Sequence, residues 1–499
     1  MNRKTGSIIK QTGIYLIARG VPGIAAFVAI PVFTRLLDPA GYGRYALVSA
    51  TVGLLNALLF QWLRLALVRY LPAFRDNPAA LKSTLLAVEL RLIAAVAAVG
   101  AVVCLVPAAA PWRPVVAACV VVLAVQAIFE LFLEHARAQI EPWRYMSLLL
   151  ARSALSTALG ALLIVFGLNW WGPVTGLAMG LAFPSVWAYF RDWRGLRLQV
   201  DRAILGKLCA YGIPLSITVA LTVVISTSDR FIIAWVLGDD AAGLYSVAVD
   251  FTTQTLTLLM MVVYLAMFPL AVRAYEGEGR AAAQEQMRHN ATLLMLVGVP
   301  AVVGLVVLAP GISRAFFGER FRAAATGIMP LVALGSFLAG LKAYHFDSAF
   351  QFVHKTAHQV WIVLVAAVVN VGLNLLIVRR FGINGSAAAS VVAYAVSIAL
   401  TVAVGRRHFT LPFPLVPFTQ VMACGCVMGA ALWPFRHSLG AAPLAAQVCA
   451  GAAMYGAGLV LLNFQGIRST IAARFGAADV PVVAQVQLST AVSRVNEAA

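Results

Sequence analysis

The sequence predicts an all-α integral membrane protein with about fourteen transmembrane helices, arranged as two six-helix lobes plus two C-terminal helices. Three observations predict this fold. Of the 499 residues, 62% are hydrophobic and only 11% are charged, whereas a soluble protein is about half apolar and about a quarter charged. Apolar stretches of about 20 residues, long enough to cross a bilayer as a helix, recur along the chain. The chain also contains an internal repeat.

The first apolar stretch is predicted to be a retained span. Basic residues at Arg3, Lys4 and Lys10 are followed by an apolar run that reaches Phe33, which is longer than the apolar region of a cleaved signal peptide. Charged residues, proline and glycine divide the rest of the chain. The predicted spans are 8–33, 42–69, 83–108, 114–137, 143–168, 170–190, 208–237, 241–272, 286–310, 323–349, 355–379, 383–405, 412–433 and 442–463.

The basic residues predict the orientation of the chain. An even number of spans places both termini on one side, and most Lys and Arg residues outside the spans fall on that side. Because cytoplasmic loops are the ones enriched in basic residues, both termini are expected in the cytoplasm. The basic segments Arg314–Arg322 and Arg379–Arg380 are exceptions, because this topology places them on the opposite side of the membrane. The net charge of +18 is thus attributed to topology, and no nucleic-acid partner is expected.

The internal repeat predicts two related halves. Leu37, Gly43 and Tyr45 match Leu237, Gly243 and Tyr245, and each group joins the first two spans of a predicted half. Transporters built from such halves hold substrate between them near the membrane midplane. The predicted units are an N-terminal lobe (1–200), a second lobe (201–408), two added helices (409–463) and a cytoplasmic tail (464–499).

The sequence lacks several common motifs for catalysis and metal binding. The sequence contains no phosphate-binding P-loop, no GxSxG nucleophile motif and no CxxC pair, and its six cysteines are scattered through apolar stretches. We therefore predict that the protein is not an enzyme, with no catalytic residues, no metal ligands and no cofactor.

Charged residues inside the predicted spans are the candidate functional residues. Each costs at least about 2.5–3.5 kcal/mol at the bilayer centre, so retained ones usually face a cavity or a partner. The basic ones are Arg19, Arg64, Arg91, Arg152, Arg230 and Lys342, and the acidic ones are Glu89, Glu130, Asp229, Asp250 and Asp347. Snorkelling to water or structural pairing remains open for Glu89, Arg91, Glu130 and Arg152. For Asp229, the alternative is a packing counter-ion to another span.

Several of these charged residues share a helix face with other polar residues and form a polar stripe with them. Gln61 lies three residues before Arg64, and Asp250 is followed by Thr253, Gln254 and Thr257. Lipid cannot satisfy the hydrogen bonds of a polar stripe, so such a face must contact water or protein. The stripes fall on the opening spans of both predicted halves, as expected if these spans line a shared cavity.

Three segments resemble the polysaccharide-export branch of the multidrug/oligosaccharidyl-lipid/polysaccharide exporter superfamily. Gly6–Gly43 is similar to the N-terminal signature of that family. Tyr211–Ser246 is similar to its second-half counterpart, and Asn374–Ala387 is similar to its pattern between spans eleven and twelve. The resemblance covers most of the first twelve spans, whereas the last two spans and the tail match weakly.

The resemblance implies a V-shaped pair of six-helix lobes around a cationic cavity in the bacterial inner membrane. It implies a flippase that moves undecaprenyl-diphosphate-linked oligosaccharide repeat units from the cytoplasmic to the periplasmic leaflet by alternating access. The expected partners are the lipid-diphosphate-linked oligosaccharide, membrane lipid and a polysaccharide polymerase or export machinery.

Roles for individual residues follow as hypotheses. Arginine stays charged and donates paired hydrogen bonds to phosphate, so Arg19, Arg64 and Arg230 are expected to engage the diphosphate. Acids in the spans are the expected proton- or sodium-coupling groups. The predicted substrate-binding residues are Arg19, Arg64, Arg230, Lys342, Gln61 and Gln254, and the predicted ion-coupling residues are Asp229, Asp250 and Asp347.

Three rival functions stay open from the sequence. A multidrug or small-molecule antiporter and a peptidoglycan-precursor flippase belong to the same superfamily. A membrane polysaccharide polymerase or ligase is also polytopic and basic, but such enzymes commonly carry a large periplasmic loop, and none is predicted here. The sugar repeat, the polymer and the coupling ion cannot be read from the sequence.

Overall fold

The computed structural model describes residues 27–74, 76–353, 357–438 and 440–468. Within these ranges the chain forms helices and no β-strands, so the predicted all-α class is confirmed. The helices are α1 Phe27–Leu36, α2 Pro39–Leu59, α3 Gln61–Tyr70, α4 Pro78–Leu105, α5 Arg113–Ala138, α6 Pro142–Leu163, α7 Trp171–Asp192, α8 Arg202–Leu237, α9 Asp239–Gly277, α10 Arg280–Val307, α11 Ala309–Phe316, α12 Glu319–Leu341, α13 Ser348–Phe352, α14 Ala357–Gly405, α15 Leu415–Leu432 and α16 Ala441–Leu461.

The described helices establish a multi-pass membrane protein. Ten of them are long and apolar enough to cross a membrane, or eleven if the pair α2 and α3, which bend by 49° against each other, count as one span. This number is lower than fourteen for identifiable reasons. Most of predicted span 8–33 lies outside the described residues, α14 combines two predicted spans, and α7, at predicted span 170–190, is not among the helices that are long and apolar enough. The count of fourteen therefore stays a prediction.

Two of the long helices are interrupted where the chain needs another conformation. Within α14, Gly382 has φ +58° and ψ −146°, a conformation that only glycine adopts readily. It lies in the gap predicted between spans eleven and twelve. After α12, residues Lys342–Phe346 form a π-helical turn, a feature that occurs mostly as a single turn and often at functional sites.

Two apolar cores hold the helices together. One is formed by residues between Val48 and Leu208. The other contains residues from α8 to α16 and also takes in Phe33 of α1 and Tyr42 of α2. The beginning of the chain is therefore packed into the second half of the molecule. We call α1–α7 the first half and α8–α14 the second half.

The two copies of the repeated motif meet at one end of the molecule. Asp38 caps α2 by accepting a 2.9 Å hydrogen bond from the backbone nitrogen of Gly41. Gly43 at the start of α2 lies directly against the carbonyl of Asp239, and Gly243 at the start of α9 lies against the carbonyl of Pro39. A Cβ atom at either glycine would overlap the opposing backbone. Glycine therefore permits this close approach of the two halves.

Candidate functional site

A cavity of about 490 Å³ lies between the two halves, and we call it the inter-half cavity. Helices α1, α2, α6 and α7 form one side of it, and α8 and α9 form the other. Its polar lining includes Arg152 and the hydroxyl groups of Ser153 and Thr157 from α6, together with Arg230 and Gln254 from the second half. The cavity thus offers cationic, hydroxyl and amide groups to one ligand.

Among the described residues that line this cavity, Arg152 is the cation without an acidic partner. It forms no ion pair with any described residue, and its guanidinium carbon lies 5.6 Å from the ring centre of Phe129. By contrast, Arg230 is paired with Asp250. If Arg152, Arg230 and Asp250 are counted as ionised, the described part of the lining carries one uncompensated positive charge. This charge favours an anionic ligand, and a guanidinium is suited to phosphate.

Arg152 was not among the predicted substrate-binding residues, although a sequence signal for it exists. Ser156 and Thr157 follow one turn after Arg152 and Ser153 on α6, and all four side chains line the inter-half cavity. The polar pairs 152/156 and 153/157 have the i, i+4 spacing that places side chains on one helix face. Arginine beside hydroxyl groups on an otherwise apolar span is the pattern that would have identified it.

Three predicted residues converge where this cavity adjoins a second one. Arg230, Asp250 and Gln254 line both the inter-half cavity and a cavity of about 260 Å³ inside the second half. The Arg230–Asp250 ion pair therefore separates two spaces that a ligand could fill. Tyr42 of the first half donates a 3.4 Å hydrogen bond to Asp250, which ties this pair to the opposite side of the inter-half cavity.

A third cavity, of about 210 Å³, continues the polar lining further into the second half. It shares Thr253, Ser336 and Tyr394 with the second cavity, and the Thr253 and Ser336 hydroxyl oxygens lie 2.8 Å apart. Lys342 and Asp347 line its far end. Together the three cavities form a polar tract that begins between the halves and extends through the second half.

The π-helical turn brings Lys342 and Asp347 together. The backbone nitrogen of Asp347 donates to the carbonyl of Lys342, five residues earlier, at 2.9 Å, and the Lys342 ammonium donates to both Asp347 carboxylate oxygens at 2.8 and 2.9 Å. Because the two charges neutralise each other, this end of the tract suits neutral polar ligand groups better than anions.

Asp229 is held differently from the other acids. It is 5% exposed and accepts hydrogen bonds from Tyr245 at 2.7 Å, Asn374 at 2.9 Å and Ser390 at 2.6 Å. Asn370 extends the cluster by donating to Ser390 at 3.1 Å. No described cation pairs with Asp229, so the counter-ion interpretation of this acid finds no support. The neighbouring Arg230 turns to Asp250 instead.

Two predicted substrate-binding residues lie outside the cavities described above. Arg64 is 2% exposed, and it contacts Glu130 at 2.6 Å, Asn56 at 3.0 Å and Gln61 at 2.8 Å. Neither Arg64 nor Gln61 lines the polar tract. Glu130 is therefore an ion-pair partner in this structure. The remaining predicted residue, Arg19, lies outside the described residues.

The inter-half cavity is closed at the end where α2 and α9 begin. The Gly43 and Gly243 contacts described above lie there, and the Arg44 side chain reaches Asp239 at 2.9 Å across the same junction. This closure joins the first half directly to the second. The described residues contain no group of three or more His, Cys, Asp or Glu side chains that could hold a metal ion.

Comparisons with known proteins agree with this geometry. The family model described as Polysaccharide biosynthesis protein matches residues 32–326. The solved structure of the lipid II flippase MurJ in an inward closed conformation aligns with a TM-score of 0.75 at 11% identity, covering 91% of this chain and 99% of that one. No curated protein sequence matches the chain significantly.

Multidrug transporters have a similar fold. An inward-facing multidrug resistance MATE family transporter of the MOP superfamily aligns with a TM-score of 0.60 at 13% identity, covering 79% of this chain and 97% of that one. An outward-facing one aligns with a TM-score of 0.54 at 14% identity, covering 80% and 94%. The family model confirms the predicted resemblance to polysaccharide biosynthesis proteins, and the solved structures share the fold of this chain.

Proposed function

Since this chain belongs to the polysaccharide biosynthesis protein family, we propose that it is a flippase for a lipid-diphosphate-linked oligosaccharide. It moves the undecaprenyl-diphosphate-linked repeat unit from the cytoplasmic to the periplasmic leaflet of the bacterial inner membrane, for surface or exopolysaccharide synthesis. The lobes 1–200 and 201–408 alternate access to the cavity between them. A polysaccharide polymerase or export machinery takes up the product.

The uncompensated positive charge of the inter-half cavity carries this proposal. A diphosphate headgroup is a small, dense anion, and Arg152 is a cation that is free to bind it. Arg230 contributes a second guanidinium on the opposite side once its contact with Asp250 is exchanged for the ligand. Both arginines lie at the surface of the cavity, so binding the phosphate does not require disrupting either core.

The tract inside the second half supplies the complementary part of the site. Its polar lining includes hydroxyl and amide groups such as Thr253, Gln254 and Ser336, and at its end the charges of Lys342 and Asp347 neutralise each other. Sugars present many hydroxyl groups and no net charge of their own. The saccharide therefore extends into the second half while the diphosphate stays near Arg152.

The membrane potential and a coupled ion provide the driving force. An inside-negative potential favours outward movement of an anion by about 2.3 kcal/mol per charge for each 100 mV, so roughly two diphosphate charges gain about 4–5 kcal/mol. Asp229, Asp250 and Asp347 are the proposed proton- or sodium-coupling acids. Of these, Asp229 is the strongest candidate because its hydrogen-bond donors among the described residues are all neutral.

The second candidate function is a multidrug antiporter. The similarity to multidrug resistance MATE transporters favours it, and so does Asp229, because an acid without a described counter-ion can attract a cationic drug. The net positive inter-half cavity argues against cationic drugs in that space. Drug tolerance on expression, without any loss of polysaccharide on deletion, would establish this alternative.

Deletion of the gene tests the proposed function. We expect completed lipid-diphosphate-linked repeat units to accumulate in the cytoplasmic leaflet and exported polysaccharide to be lost. The wild-type gene and an Arg44→Ala variant should both restore export, while an Arg152→Gln variant present at the same membrane level should not. Normal polysaccharide without trapped intermediate would refute the proposal.

A further inference from the structure

A carboxylic acid buried in the first half is not used by the cavities or by the proposed coupling sites. Glu89 of α4 is 0% exposed, and neither of its carboxylate oxygens has a hydrogen-bond partner among the described residues. Burying an ionised carboxylate without a hydrogen bond or an ion pair costs a large desolvation free energy. Glu89 therefore requires a compensating partner or a proton.

The nearby cation does not supply this compensation. The charged groups whose fields reach Glu89 from the neighbouring helices are Arg64 of α3 and Glu130 of α5. Arg64 lies 2.6 Å from Glu130, and Glu130 also accepts hydrogen bonds from Asn56 and Gln126, each at 2.9 Å. One cation thus faces two acids, and it makes direct contact with Glu130.

A metal ion is a poor candidate for the missing partner. Hard cations take several oxygen ligands, but the side-chain oxygens of Asn56 and Gln61 already accept hydrogen bonds from Arg64. The described residues contain no group of three or more acidic, His or Cys side chains that could hold a metal ion. The Arg64 guanidinium would also repel a cation. A proton balances the charge of the cluster without any further ligand.

We propose that Glu89 is a proton-binding site in the first half, occupied in this closed conformation and emptied when the two halves move. The proton leaves the Glu89 carboxyl group for water, and the carboxylate formed is then stabilised by water or by Arg64. Binding is a reversible acid dissociation and needs no other reactant. The site is separate from Asp229, which lies in the second half.

The packing of α3 explains how movement of the halves reaches this site. Helix α3 carries Arg64, is bent by 49° against α2, and its backbone at Trp62 lies in direct contact with Gly212 of α8. When α8 moves with the second half, α3 must shift relative to α4. That shift changes the distance between Arg64 and Glu89, and with it the free energy of the ionised form of Glu89.

Infrared difference spectroscopy on the purified full-length protein tests the occupancy directly. At neutral pH, the wild type should show the carbonyl band of a protonated carboxylic acid, and labelling glutamate with a heavy carbon isotope should shift that band. Glu89→Gln should remove it, whereas the Asp347→Asn control should retain it. A wild-type protein without the band, or a band unchanged in Glu89→Gln, would overturn the proposal.

The isotope shift in the wild type can still refute the proposal if Glu89→Gln does not fold, because a band that does not move cannot belong to a glutamate.

The role of Glu89 in transport rests on the proposed function and has its own test. In vesicles with the membrane potential held constant, removing the proton gradient should slow wild-type flipping severalfold and leave Glu89→Gln unaffected. If no variant flips the lipid, the proposed function fails while the infrared result still decides the proton site. If Glu89→Gln stays gradient-sensitive like the wild type, Glu89 does not couple transport.

Discussion

Arg64 in the first half and Arg230 in the second half each contact a carboxylate from a neighbouring helix, yet their surroundings differ. Arg64 is 2% exposed and is enclosed by Glu130 and by neutral amide groups. Arg230 and its partner Asp250 are 12% and 32% exposed and line two adjoining cavities. In the first pair Glu130 is 23% exposed, but Arg64 is buried and lines none of the described cavities. In the second pair Arg230 lines two cavities and can exchange its contact for a ligand.

This difference shows that depth in the membrane does not by itself assign a role. Both arginines satisfy the rule that a charge retained in a span faces a partner or a cavity. In the first half the partner is protein, so the charge stabilises the packing of α3 on α5. In the second half the charge is shared between an acid and a cavity, so it is available to substrate.

The largest effect on stability is expected when the ion pair between Arg64 and Glu130 is broken. Arg64→Ala leaves Glu130, which is 23% exposed, without its cation. Removing one partner of a buried ion pair typically costs about 3–5 kcal/mol, and the partial exposure of Glu130 places the expected cost at the lower end of this range. We expect a large drop in the unfolding temperature of the purified protein and a low level in the membrane. An Arg64→Ala protein of normal stability that binds substrate poorly would show that Arg64 acts on substrate and not on helix packing.

The next largest effect is expected on ligand binding at Arg152. A hydrogen bond to a charged group contributes about 1.5–3 kcal/mol, so Arg152→Gln should weaken binding of a lipid diphosphate by about ten- to a hundredfold. Arg152→Lys keeps the charge and should lose less. Binding can be measured by titration of the purified protein, with unchanged unfolding temperatures as the control. Equal affinities for all three proteins would remove Arg152 from the site.

A double-mutant cycle on Arg230 and Asp250 should give a smaller effect on stability. Because this pair lines cavities, Arg230→Gln and Asp250→Asn should show a coupling energy of about 1 kcal/mol, within the usual range for contacting residues. Denaturation of the four proteins provides the measurement. A coupling as large as that expected for Arg64 and Glu130 would mean that this pair, too, is a packing element.

The smallest effect is expected at the exposed pair that joins the two halves. Arg44 and Asp239 are 47% and 25% exposed, and exposed ion pairs contribute about 0–1 kcal/mol. Arg44→Ala should therefore change the free energy of unfolding by less than about 1 kcal/mol. A loss comparable to that of Arg64→Ala in the same denaturation assay would show that the closed end depends on this pair.

Much of the fold could be predicted because a bilayer imposes a simple length rule on apolar segments. The break at Gly382 was predicted from the charged and glycine-containing segment around it, and the structure places the interruption there. The bend between α2 and α3 could not be predicted, because it depends on local backbone angles that hydropathy does not specify.

The site could be predicted only in part, because a sequence shows helix faces but not what lies opposite them. Gln61 and Arg64 do share a face, but Asn56 and Glu130 occupy the space opposite. Arg230, Asp250 and Gln254 were expected on spans that line a shared cavity, and all three line the inter-half cavity. For Arg152 the sequence left snorkelling or structural pairing open, because only the three-dimensional structure shows whether an acidic side chain lies beside it.

Leaflet exchange in a reconstituted membrane tests the central claim most directly. The purified protein is placed in vesicles that contain a lipid-diphosphate-linked oligosaccharide in one leaflet, and the fraction that reaches the other leaflet is followed over time. We predict that the wild type and Arg44→Ala move the lipid, and that Arg152→Gln, at the same protein content and with the same unfolding temperature, moves it at least about tenfold more slowly. Movement at the same rate with Arg152→Gln, or no more movement with the wild type than in empty vesicles, would contradict the account.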